Sequence, residues 1–246
     1  MLATILLATT LMASLSLIGV LTILISEEAL RKLLLPTVAL AAGAMIGGAL
    51  FHLIPGAIEV MGNSMGVFCW IAAGFTAFFV LEQFLQWHHC HKVPSEHDHP
   101  MTALVLAADA LHHLIGGLAI GGAFLADFRL GVAAWLTEAC HEAPQELGDF
   151  GILVHLGYSK RKALAYNMVS ALTFPLGGLL AYAASLRFDT RFLVPFAAGN
   201  FLYVAAADLI PEIKKQEHPR LSQNLAHLAS FLAGLGLMLA TRVFLE

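Results

Sequence analysis

Eight stretches of roughly 20 predominantly apolar residues follow one another along the chain, and a helix of that length crosses a hydrocarbon core about 30 Å thick. They cover residues 3–25, 36–58, 66–87, 101–125, 130–157, 162–185, 191–211 and 222–245. The runs are continuous rather than alternating, which favours helices over a membrane barrel. Only 12% of the 246 residues are charged, about half the share usual in soluble domains, roughly 25%, and mean hydropathy is +0.78. The 21 Gly and 9 Pro would weaken soluble helices but are at home in spanning ones, where small residues allow close packing. The spans fill most of the chain, so the expectation is an all-α integral membrane protein, a single transmembrane domain over residues 1–246. The first run opens at Met1 without the basic segment of a cleaved signal and reads as a retained first span.

Charge placement orients the bundle, because Lys and Arg gather in cytoplasmic connections. With the N-terminus outside, those connections hold Arg31, Lys32, Lys92, Lys160, Arg161, Lys162, Lys214, Lys215 and Arg220, and the opposite face holds Arg129, Arg187, Arg191 and Arg242. An even number of spans returns the C-terminus to the outside as well. A formal net charge of −4 with 13 Lys and Arg leaves no basic face for nucleic acid. Cys69, Cys90 and Cys140 are scattered and form neither a disulfide framework nor a CxxC pair. No G-x-x-x-x-G-K-[ST] loop occurs, which argues against direct use of ATP and for movement driven by an ion gradient or potential.

Ionisable groups at membrane depth are costly unless they face a cavity or a partner, and here they concentrate in spans four and five. Asp109, His112, His113 and Gly116 sit at offsets of 0, 3, 4 and 7, a stripe covering about 100° of helix circumference. Glu138, His141, Glu142, Gln145, Glu146 and Asp149 cover about 140° of the next helix. Imidazoles on one helix facing imidazole, carboxylate and amide donors on another make a divalent-metal site, and the mixture suits Zn²⁺ better than hard Mg²⁺ or Ca²⁺. Pro144 withholds an N–H from the carbonyl of Cys140 and is expected to bend span five there.

Three other readings of these polar residues stay open: a proton relay, a metal sensor that binds without moving its ion, and an intramembrane zinc hydrolase. The last is disfavoured because His141-Glu142 opens like an HExxH helix but has Gln145 at the second His and Pro at the fourth position. Elsewhere, F-H-L-I-P-G in span two and A-D-L-I-P-E in span seven share a polar-Leu-Ile-Pro pattern that hints at an internal repeat, with His52 and Asp208 as pathway candidates. Glu82 is expected at the interface or paired inside the bundle. The stretch from about 88 to 100 carries His88, His89, His91, His97 and His99 and reads as a cytoplasmic loop that accepts metal loosely.

H-E-A-P-Q-E-L-G-D-F-G-I-L at 141–153 and D-A-L-H-H-L-I-G-G-L-A-I-G at 109–121 resemble the HExPHExGDFxIL and DxxHNxxDGLAIG motifs of the ZIP family, the Zrt/Irt-like divalent metal transporters. Segments 78–85 and 199–212 are similar to further parts of that family, so the likeness covers nearly the whole chain. It is closest to the HExPHE subfamily, in a short form of prokaryotic type. The resemblance implies eight helices with both termini extracytoplasmic, inverted three-helix repeats around helices 4 and 5, a homodimer in many members, and a plasma (bacterial inner) membrane. It also implies transport of Zn²⁺, with Fe²⁺, Mn²⁺ or Cd²⁺ as further substrates, into the cytoplasm. His112, His141 and Gln145 fall at the inner transport site and His113 and Glu142 at a neighbouring second site; Asp109, Glu138, Glu146 and Asp149 then form the route or support the ligands. Gly116 stands at a family Asp, Gln145 at a family His and Phe174 where some relatives have Glu. Those changes argue against a full two-metal site, and Asp109 is the candidate to replace the lost charge.

Overall fold

The computed structural model describes residues 1–20, 27–90, 99–155, 158–214 and 220–245, and among them every regular element is helical. Helix α1 (Leu2–Ala13) tightens into a 3₁₀ segment, Ser14–Val20. Helix α2 (Glu27–Gly48) passes through a π-helical turn, Ala49–Leu53, into α3 (Ile54–Met61). Two 28-residue helices follow α4 (Met65–Cys90): α5 (His99–Ala126) and α6 (Phe128–His155). Next come α7 (Lys160–Ala171) and α8 (Thr173–Ser185), then α9 (Leu193–Tyr203), a second π-helical turn at Val204–Leu209, α10 (Ile210–Lys214) and α11 (Leu221–Leu245).

Seven stretches among the described residues are long and apolar enough to cross a membrane, with mean hydropathies of 1.3 to 1.9. They match seven of the eight expected spans. The eighth, α6, is about 42 Å long at 1.5 Å per residue, but Arg129, Glu138, Glu142, Glu146 and Asp149 along it keep it out of the apolar set. It is the helix whose polarity burial must offset. Burial runs in the sense expected of a lipid-facing bundle: His52, Asp109, His113, Glu138, His141, Glu142 and Glu146 are buried, whereas Leu7, Leu179, Leu225, Leu232, Phe79 and Val243 are exposed. Apolar surface that would cost free energy in water costs nothing against lipid tails.

Close packing comes from reciprocal glycines at three crossings. A Cβ at Gly43 of α2 would lie 2.0 Å from the Phe231 carbonyl oxygen of α11, and one at Gly234 of α11 would lie 2.0 Å from the Leu40 oxygen. Gly74 and Gly199 relate α4 to α9 in the same way, and Gly117 and Gly177 relate α5 to α8. Backbone meets backbone in each pair, the packing that small residues permit when no hydrophobic force drives helices together.

The two Ile-Pro segments have a common local structure. Proline lacks an N–H and its ring crowds the carbonyl four residues earlier, so the ladder there slips to a wider turn. Before Pro55 the Ile54 N–H donates to the Ala49 oxygen, and before Pro211 the Ile210 N–H donates to the Ala205 oxygen, each a five-residue step. At Pro144 helical turns continue on both sides without the wider turn seen at the other two, and the proline still offers no N–H to the Cys140 oxygen.

Three contacts gather at one end of the bundle. Arg242 pairs with Glu59 at 3.3 Å, the Arg191 guanidinium donates to the Val60 oxygen at 3.3 Å, and Arg191 pairs with Asp189 at 2.6 Å. Arg191 and Arg242, assigned to one side by the charge count, do lie at one end. The hydrogen bonds from the Arg191 side chain and backbone hold the Asp189 carboxyl down at about 2. Of the histidine tract, His88 and His89 belong to the last turn of α4 and His99 starts α5, and residues 91–98, with His91 and His97, lie outside the described residues.

Candidate metal centre

The two 28-residue helices set the depth of the site. The midpoint of α5 falls at His112 and His113 and that of α6 at His141 and Glu142, so the four residues meet halfway along helices each about 42 Å long. The stripes read from the sequence face each other: the His112 and His141 rings lie 5.3 Å apart between centroids. One donor atom each from His112, Glu138 and Glu142 falls within 4.8 Å of the others, as does one each from His113, Glu142 and Glu146. Two zinc bonds of about 2.1 Å span at most about 4.2 Å, so small side-chain rotations bring either trio onto one ion. Glu142 belongs to both.

His113 Nε2 faces three carboxylates: Glu142 at 2.6 Å, Asp109 at 3.2 Å and Glu146 at 3.7 Å. An ionised carboxylate only accepts, so the imidazole N–H points at Glu142. Around this core, Asp109 accepts from Ser170 at 2.5 Å and from Gln145 at 3.3 Å, and Glu146 accepts from the Asn167 amide at 2.8 Å. Ser170 and Asn167 come from α7. They were not singled out in the sequence, where short polar residues of a spanning helix carry no signal of what they face.

Several atoms here are buried without a hydrogen-bond partner: His112 Nε2, His113 Nδ1, both nitrogens of His141, both oxygens of Glu138, Glu142 Oε2 and Glu146 Oε1. An unpaired carboxylate removed from water costs several kcal/mol, and a group of them that also includes free imidazole nitrogens matches what a divalent cation would satisfy.

The departures at Gly116 and Phe174 have a structural explanation. A Cβ at Gly116 would meet Glu138 Oε1 at 2.5 Å and Phe174 Cε1 at 2.6 Å, while the Phe174 ring stacks on His113 at 4.6 Å between centroids. Aromatic and glutamate side chains therefore already occupy the volume a side chain at 116 would need. Asp109, expected to replace the lost charge, lies 3.2 Å from His113 and also accepts from Ser170 and Gln145, while the carboxylate beside Gly116 itself is that of Glu138.

Other sequence candidates fall elsewhere. His52 Nε2 contacts the Met238 oxygen at 2.8 Å and Thr241 Oγ1 at 3.0 Å on α11, and Asp208 is exposed; among the described residues neither belongs to the two donor trios. Asp149 is half-buried on α6 and also outside them. Glu82 is paired inside the bundle, accepting from the Tyr203 hydroxyl.

Fold and site define a class: a polytopic helical membrane protein with metal-ligating side chains clustered at mid-depth between its two central helices. A model of the ZIP zinc transporter family matches residues 2–104 and 88–242, and the chain belongs to that family. Zinc transporter zipt-7.1 of Caenorhabditis briggsae is 29% identical over an aligned length of 269, covering 81% of this chain and 69% of that protein. Zinc transporter ZIP4 of Homo sapiens is 41% identical over 118 residues, 48% of this chain and 18% of that protein. Zinc transporter zipt-7.2 of Caenorhabditis elegans is 36% identical over 148 residues, 57% of this chain and 31% of that protein. The chain thus spans less than a third of the length of the last two. Family membership sets it among membrane transporters of divalent metal rather than among enzymes.

Proposed function

We propose that the chain carries Zn²⁺, with Fe²⁺, Mn²⁺ or Cd²⁺ as further substrates, across a plasma membrane into the cytoplasm through the space between α5 and α6. His112, His113, His141, Glu142 and Gln145 hold the ion; Asp109, Glu138, Glu146 and Asp149 attract it and steady the ligands. The observation that carries this reading is the set of buried, unpartnered imidazole and carboxylate atoms at the midpoint of both helices. Mixed donors that include a neutral amide bind firmly enough to select and loosely enough to release.

Eight crossings, with α6 as the fifth and both termini extracytoplasmic, suit the charge distribution and the gathering of Glu59, Val60, Asp189, Arg191 and Arg242 at one end. Inverted repeats around the two central helices are supported by the matched π-helical turns before Pro55 and Pro211. Placement in the HExPHE subfamily rests on the motif at 141–153, and a homodimer on the family likeness alone. The histidine tract near residue 91 would collect arriving ions on the cytoplasmic face.

Cells expressing the protein should accumulate radioactive zinc, and His141→Ala and Glu142→Ala should each abolish that uptake while the protein still reaches the membrane. Undiminished uptake in either variant would overturn the site assignment.

A further inference from the structure

Glu138 stands apart from the other acids of the site. Asp109 and Glu146 have hydrogen-bond donors from α7, and Glu142 has His113. Glu138 is fully buried and neither carboxylate oxygen has a partner. Its Oε1 lies 3.9 Å from His112 Nε2, itself unpartnered, and the two share a close trio with Glu142. The carboxylate has room only because residue 116 is glycine: an added Cβ there would sit 2.5 Å from Oε1. Gly116 is four residues after His112, so both present the same side of α5 to α6. The Phe174 ring closes the far wall of that space, 2.6 Å from the same Cβ position.

We propose that Glu138 is a direct ligand of the transported ion, its carboxylate reaching from α6 into the space Gly116 leaves open on α5, so that His112, Glu138 and Glu142 close on one divalent cation. One imidazole and two carboxylates from two helices form a three-point protein set that leaves a fourth position for water or for His141, whose ring lies beside His112. A proton on Glu138 would relieve the burial equally well, and that alternative is what the test separates. The inference rests on the reading of the chain as a divalent-metal transporter.

The test uses the full-length purified protein with zinc alone as the probe. Zinc titration should show a dissociation constant raised at least ten-fold in Glu138→Gln, which keeps the shape and removes the charge, with partial recovery in Glu138→Asp and no change in the distant Asp189→Asn. In parallel, a structure of the unaltered protein soaked in Cd²⁺ should place the anomalous peak within coordination distance of a Glu138 oxygen, and this measurement decides the matter should Glu138→Gln fail to fold. An unchanged dissociation constant in Glu138→Gln, or a peak on His112 and Glu142 with Glu138 beyond coordination distance, overturns the proposal. If the unaltered protein moves zinc while Glu138→Gln binds as tightly as before, this inference alone falls; if the unaltered protein neither binds nor moves zinc, the transporter reading falls with it.

Discussion

Adding one methyl group at Gly177 should disturb the site without touching a ligand. The Cβ would lie 2.1 Å from the Leu114 carbonyl oxygen and 2.9 Å from the Leu118 nitrogen, and because both are backbone atoms no side chain can rotate away. Restoring an ordinary contact requires α5 and α8 to part by about 1.3 Å at the crossing. Overpacking costs roughly 1–3 kcal/mol, and rigid backbone puts this case at the upper end, about 3 kcal/mol. The better helix propensity of alanine returns about 1 kcal/mol, leaving a net loss of about 2 kcal/mol. For a chain of this length that is a fall in Tm of about 4–8 °C. The same seam holds Thr173 Oγ1 on the Ala110 oxygen at 2.7 Å and Phe174 against His113, so zinc affinity should weaken as well. Thermal denaturation in detergent, followed by size exclusion, reads the stability; zinc titration reads the site. Gly236→Ala is the control, since its Cβ would meet nothing within 4 Å, and its Tm should hold or rise. An unchanged Tm with full zinc affinity in Gly177→Ala would refute the claim that backbone contact at this crossing positions His112 and His113.

Further outcomes follow from particular contacts. Asn167→Ala removes the amide that donates to Glu146; at about 1–3 kcal/mol for a buried acceptor left unpaired, a Tm drop of several degrees is expected, partly recovered when zinc is added. Tyr203→Phe removes the hydroxyl bonded to Glu82 and should cost about 1 kcal/mol, measurable by the same thermal assay, with zinc binding unaltered because Glu82 is in neither donor trio. The Asp189 carboxyl should titrate at about 2 rather than at 3.8. Because its folded value is lowered, the pairing with Arg191 is complete above the ordinary carboxylate range and is lost as pH falls through 2. Arg191→Gln should raise the carbon-detected titration midpoint toward the ordinary value, the backbone N–H of residue 191 remaining as a donor.

Span positions, the direction of each polar stripe and the meeting of α5 with α6 were legible because each depends on helical periodicity and on the cost of placing charge in lipid. A stripe of His112, His113, Asp109 and Gly116 can face only the bundle interior, and the next span carries the complementary stripe. The roles within that contact were less legible. Glu138 read as a flanking acid because its place opposite Gly116 depends on the rotation and height of α6 against α5, which no single helix encodes. Asn167 and Ser170 looked like ordinary small polar residues of a spanning helix, and only the docking of α7 shows that they bind Glu146 and Asp109. Phe174 could be read as the absence of an acid but not as a ring stacked on His113. The proline rule served at Pro55 and Pro211, where the turn widens, whereas at Pro144 helical turns continue on both sides of the ring.

Transport through the space between α5 and α6 can be separated from binding alone by time-resolved Zn²⁺ entry into liposomes holding the purified protein, with His141→Ala reconstituted beside it. Zinc should accumulate inside liposomes with the unaltered protein and not in those with the variant, at equal protein incorporation. Stoichiometric zinc binding by the unaltered protein without accumulation would contradict a transporter and leave a membrane-embedded metal sensor in its place.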